Sequence, residues 1–133
     1  MATHGFAGVW RLNLAQSNIP PVTKSQILTI ETDGVFINMR EKLINDKGET
    51  LIITVEGELN GRDYPVTGTP FADTVSYRLL SPNVIEGIAK KDGRICVKET
   101  AVLSDSGTKV DVTYLSFDSQ GNTFQSHGVF EKI

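Results

Sequence analysis

The stretch Phe6-Ala7-Gly8-Val9-Trp10-Arg11-Leu12-Asn13-Leu14 holds the only tryptophan of the chain. Trp10, Leu12 and Leu14 share one face at period two, with Val9, Arg11 and Asn13 on the other. That alternation is the pattern of a strand with one buried face. Gly8 has no Cβ, so neighbouring backbone can pass close just before the large ring. A first strand over Phe6–Leu14, with Trp10 in the core, is the starting expectation.

Outward from this stretch, strand signals recur at the spacing of an all-β sandwich or barrel. Gln16 to Thr23 reads as a loop, because Pro20 and Pro21 fix φ and remove donors. Lys24–Thr32 is the second strand, Asp33-Gly34 a tight turn, and Val35–Ile44 the third strand, with Val35, Ile37 and Met39 on one side. Asn45–Glu49 is a hairpin loop before the fourth strand, Leu51–Leu59. Asn60–Asp73 carries Gly61, Pro65, Gly68 and Pro70 and reads as the longest connection, of the kind that forms lids and binding loops. Five further strands are expected at Thr74–Leu80, Val84–Lys90, Arg94–Leu103, Lys109–Phe117 and Thr123–Lys132. Turns at Ser81–Asn83, Lys91–Gly93, Ser104–Gly107 and Asp118–Asn122 separate them.

Nine strands joined by hairpins imply antiparallel neighbours, and closing the last onto the first removes both edges. A sandwich needs long crossovers, and only Asn60–Asp73 could supply one. The expected fold is therefore a single up-and-down antiparallel β-barrel spanning residues 1–133. Composition agrees with one globular unit: the chain has 133 residues, 39% of them hydrophobic, and a net charge of −3. No run of Lys or Arg exceeds two residues, which argues against a nucleic-acid partner. No apolar run reaches membrane-spanning length, and Met1-Ala2-Thr3-His4 does not read as a signal peptide. As written, the chain reads as cytoplasmic, although removal of a leader would leave the same sequence. The single cysteine, Cys96, allows no internal disulfide and no cysteine zinc cluster.

A Gly-x-Trp opening strand followed by a run of short strands resembles lipocalins and related calycin barrels. That resemblance implies a barrel whose tryptophan plugs the closed end. Val129-Phe130-Glu131-Lys132 looks like the last strand of fatty-acid-binding proteins, but that family's carboxylate-gripping Arg-x-Tyr would fall on Gly128 and Phe130. The helical lid expected there between the first two strands has no counterpart in the sequence either. Gly8–Asn13, Asp63–Pro70 and Ala72–Ser76 together resemble a group of small, uncharacterised bacterial lipocalin-like proteins. This match covers most of the chain and implies a fold, not an activity.

Taking the more apolar face of each strand as inward gives an interior that includes Trp10, Met39, Val55, Val75, Tyr77, Val97, Tyr114, Phe124 and Phe130. Gly87, Ala89 and Gly128 fall on the same side and leave space, which suits either a cavity or a tapered, filled barrel. Glu99 breaks the pattern, because it stands between Val97 and Ala101 on the inward face. Buried beside Tyr77 or Tyr114, it would have a raised pKa and become an acid–base candidate. The alternative is a bulge after Lys98 that turns it outward. His127 lies on the more polar face of the last strand and enters a cavity only if that register is reversed. Cys96, flanked by Arg94 and Lys98, reads as a structural cysteine or a thiol of lowered pKa. Arg40 reaches an anionic ligand only if the third strand shows its other face.

Neither histidine has metal-ligand spacing, and no phosphate loop or dinucleotide fingerprint occurs, so no metal or cofactor is expected. The first functional expectation is a carrier or sequestering barrel for a small apolar or amphipathic molecule. Its candidate contacts are Trp10, Met39, Val55, Tyr64, Phe71, Phe124 and Phe130, with a mouth at Ile19–Val22 and Tyr64–Phe71. The second is a cofactor-independent isomerase, cyclase or hydratase in the same cavity, acting through Glu99, Tyr77, Tyr114 or His127. A filled structural barrel is the third. No membrane partner is expected, and a homodimer is compatible with the composition.

Overall fold

The turn signals divide the chain into short alternating segments, and ten of these form strands in the computed structural model, which describes residues 4–19 and 23–133. They are β1 (Gly8–Leu12), β2 (Thr23–Thr32), β3 (Phe36–Asn45), β4 (Thr50–Glu58), β5 (Asn60–Thr67), β6 (Thr74–Ser81), β7 (Val84–Lys91), β8 (Arg94–Leu103), β9 (Lys109–Phe117) and β10 (Thr123–Lys132). Every strand is antiparallel to its neighbours in sequence, and β10 returns to β1 to close the barrel. Trp10 stands opposite Lys132 on β10 and opposite Leu28 on β2. Closure gives every strand a hydrogen-bonded neighbour on both sides. No helix among the described residues is long and apolar enough to cross a membrane. The outer face carries exposed charges, among them Arg11, Arg40, Lys42, Glu56, Arg78, Lys98 and Asp111.

Phe6, Trp10 and Phe130 are the largest fully buried side chains and seal one end of the barrel. The indole Nε1 donates to the Phe6 carbonyl at 3.0 Å, so the ring's one polar atom is satisfied inside the plug. Lys132 lies over the same ring, its Nζ 5.5 Å from the centroid. Its stem explains Gly8, which has φ of +146° and where a Cβ would stand 2.8 Å from Lys132 Cε. The close approach expected at Gly8 is thus made by a side chain rather than by backbone.

Several strand ends shift by one residue from the sequence reading, and two differences are larger. β1 stops at Leu12; Leu14–Gln16 forms a short 3-10 turn, with Asn13 Oδ1 accepting from Gln16 N, and Leu14 is exposed. The larger difference is β5, a strand occupying the first half of the expected Asn60–Asp73 loop. Proline hides it in the sequence. Val66 N donates to Asp73 O on the β6 side, so the nitrogen of Pro65, one residue earlier, points toward β4. There the ladder has ended: β4 and β5 pair only at Thr54–Thr67 and Val55–Val66. Pro65 therefore removes no bond, and β5 is held mainly by β6.

Tyr64 bridges the gap beyond that short ladder. Its ring lies over Gly57 of β4, where a Cβ would stand 2.6 Å from Tyr64 Cγ, and its hydroxyl accepts from Asn60 Nδ2 at 2.8 Å. What remains of the connection, Gly68 to Asp73, lies at the end opposite the Trp10 plug. At Gly68 (φ +90°) the backbone passes so near β4 that a Cβ would collide with the Ile52 carbonyl oxygen.

Candidate functional site: a hollow lined by two carboxyl groups

Four consecutive strands place one inward residue each in a row: Tyr77 on β6, Gly87 on β7, Glu99 on β8 and Tyr114 on β9. The β7–β8 register runs unbroken from Val84–Val102 to Ala89–Val97, so no bulge follows Lys98 and Glu99 stays inward. The irregularity comes later, at Cys96, where Lys90 pairs with Ile95. Gly87 gives the row its room. A Cβ there would lie 2.7 Å from Glu99 Oε1 and 3.0 Å from Tyr77 Cε1.

A second carboxyl group lines the same space from β3. Glu41 stands opposite Leu28 of β2 and Ile53 of β4, and its carboxyl accepts a hydrogen bond from the Gln26 side-chain amide. Between the walls is a cavity of about 310 Å³. Met39, Ile53, Val55, Val75, Ala89 and Val97 make its apolar wall, and Ile19, Thr69 and Ala72 stand toward its open end. Its polar groups are Glu41, Glu99, Tyr77 and Tyr114, with Gln26, Thr23, Thr69, Ser116 and Ser126. A mostly apolar hollow with a few convergent polar groups has the make-up of a small-molecule site.

The electrostatics follow from enclosure. Burial pushes the Glu99 carboxyl up to about 7, and the nearby charge of Glu41 pushes the same way. Glu41 is also raised by burial, but the Gln26 amide opposes the rise by donating to its charged form. Glu99 has no such donor, so of the pair it holds a proton more firmly. No side-chain polar atom of the described residues is both sealed off and unpartnered. The Glu99 carboxyl, which accepts no hydrogen bond from the described residues, accordingly faces the hollow. Tyr77 and Tyr114 are raised well above the usual phenol range, first by burial and then by the charge of Glu99. Both stay neutral at physiological pH. The Tyr77 hydroxyl donates to Met39 Sδ at 3.6 Å.

Of the candidates named from sequence, Glu99, Tyr77, Tyr114, Met39 and Val55 come together on this wall. Trp10 and Phe130 lie in the plug and do not line the hollow. Tyr64 is at the β4–β5 gap rather than the entrance. Phe71 and Phe124 point to solvent at 73% and 61% exposure, because each sits where its strand or loop has run past the barrel rim. His127 is on the outer face, its Nε2 3.3 Å from Asp111 Oδ1, since the inward positions of β10 are Ser126 and Gly128. Arg40 also faces outward. Cys96 Sγ donates to the Ala89 and Phe71 carbonyls at 3.3 and 3.6 Å. Of the expected Ile19–Val22 mouth, Ile19 lines the cavity, and residues 20–22 lie outside the described residues.

Sequence reasoning missed Glu41 and Gln26. The signal for Glu41 was present, since it continues the parity of Ile37 and Met39. For Gln26, the register of β2 against β3 was needed. No protein-family model and no curated protein matches this chain.

Proposed function

We propose that the barrel binds a small amphipathic molecule in this hollow and acts as its carrier or sequestering protein. The observation that carries the reading is the cavity itself. It has about twice the volume of a cavity of about 150 Å³ that takes up benzene, so an aromatic ring with a short polar tail fits. Affinity would come from apolar ligand surface leaving water, at roughly 25 cal/mol per Å². The glutamates and tyrosines would orient the polar end. The resemblance of the Gly8–Asn13 opening and the strand order to lipocalin-like barrels supports the same reading.

Phenylbutanol is a suitable probe. It is expected to raise the thermal midpoint in proportion to the logarithm of its concentration, as a ligand of the native state does. Ala89→Phe puts a ring into the cavity at an overpacking cost of about 1–3 kcal/mol and should remove that rise while leaving the barrel folded. If neither phenylbutanol nor other alcohols of its size stabilise the unmodified protein, the binding reading falls.

A second reading is favoured by one observation: a carboxyl with pKa near 7 beside two neutral phenols. At neutral pH such a group both gives and takes protons, so the hollow could host proton-transfer chemistry such as an isomerisation. Glu99→Gln would then abolish turnover without abolishing ligand binding.

A further inference from the structure

We infer that the molecule held in the hollow is an organic cation, a protonated amine on an apolar body, with its charged end between Glu41 and Glu99. This deepens the binding reading above and rests on it.

The charge balance of the wall is the first ground. Among the described lining residues there are two carboxyl groups and no Lys, Arg or His, so no basic side chain of that wall balances the pair. The second is that Glu99 is half-buried, faces the hollow and accepts no hydrogen bond from any described residue. Buried carboxyl groups are ordinarily paired or hydrogen-bonded. An ammonium group supplies both the missing donors and the missing charge. The third ground is the flanking chemistry. Tyr77 and Tyr114 line the same hollow with aromatic rings, a residue type whose faces attract cations, and with hydroxyls that stay neutral. Met39, Val55 and Val75 offer the ligand's body an apolar wall. A carboxylate ligand would meet repulsion, and a neutral alcohol would leave the pair unneutralised.

The inference fixes the sign of a pH dependence. The titratable groups facing Glu99 are Glu41 from β3, Tyr77 from β6 and Tyr114 from β9; β7 and β10 present Gly87 and Ser126. In the empty hollow Glu99 keeps its proton below about pH 7. Binding a cation must expel that proton, so amine affinity should rise with pH up to about 7 and then level off. Near pH 6 about one proton should be released per amine bound.

Calorimetry on the full chain with phenylbutylamine, phenylbutanol and phenylbutyrate tests this. Near pH 8 the amine should bind about tenfold or more tightly than the alcohol, as charge-assisted hydrogen bonds allow, and the carboxylate more weakly than either. Titration near pH 6 in buffers of different ionisation heat should show the proton release with the amine and none with the alcohol. Glu99→Gln should cut the amine preference and remove the proton release, and Glu41→Gln with Glu99→Gln should abolish the preference. Equal affinity for amine and alcohol in the unmodified protein would overturn the cation inference and leave the binding reading standing. A preference that survives the double substitution would overturn it as well. If neither binds, the binding reading falls, and the inference with it.

Discussion

Trp10→Ala should lower the unfolding free energy by about 3–5 kcal/mol, the range for truncating a large aromatic residue in a packed core. The indole is fully buried with Phe6 and Phe130, and it is the largest side chain at that end of the barrel. Truncation also leaves the Phe6 carbonyl without the Nε1 donor that now reaches it. Lys132, whose stem runs past Gly8 and over the ring, would lose its support too. A urea denaturation curve reads the effect directly. A midpoint equal to that of the unmodified protein would show that this end of the barrel is not held by the tryptophan.

The second large effect is a gain. Glu99→Gln should stabilise the protein by about 3 kcal/mol near pH 8 and leave it nearly unchanged near pH 4. The carboxyl moves from an ordinary value of 4.5 to about 7 in the folded chain. Below 4.5 it is neutral in both states and imposes no penalty. Between 4.5 and about 7 the unfolded chain loses the proton while the folded chain keeps it, so stability falls as pH rises. Above about 7 the penalty is complete, and at about 1.4 kcal/mol per pKa unit it amounts to the figure given. Glutamine keeps the shape and removes the titration. The penalty falls on a group that lies over Gly87 and faces a hollow, which is where a binding site tolerates strain that a purely structural core would not. A variant with the same pH profile as the unmodified protein would place Glu99 in solvent.

How far the sequence led depends on which interactions decide each element. Strands such as Lys109–Phe117, bounded by turn residues and alternating in burial, are set by local pattern, and the structure keeps their limits. Closure of Thr123–Lys132 onto Gly8–Leu12 followed from the need to remove edges. β5 was hidden because Pro65 is costly only where a ladder bond is missed, and the absence of that bond depends on β4 diverging from β5. Within the site, Glu99 was visible as a charged residue between two apolar inward ones. Glu41 was equally placed by parity, between Met39 and Leu43, but Arg40 and Lys42 on either side make Arg40–Lys42 read as one charged stretch. Rim aromatics could not be sorted at all. Phe124 shares the parity of Ser126 and Phe130 and still lies in solvent, because the barrel wall ends before it.

The central claim is that the barrel is hollow and that Glu99 is enclosed on its wall. Carbon-13 labelling of the glutamate side chains, with Glu99→Gln to assign the signal, tests it most directly. One carboxyl resonance, absent from that variant, should titrate near 7 in the free protein, well above the ordinary value of 4.5, and should move down when phenylbutylamine is added. If every glutamate carboxyl instead titrates between about 4 and 5, the range of solvated side chains, then Glu99 is not enclosed and the account of the site is wrong.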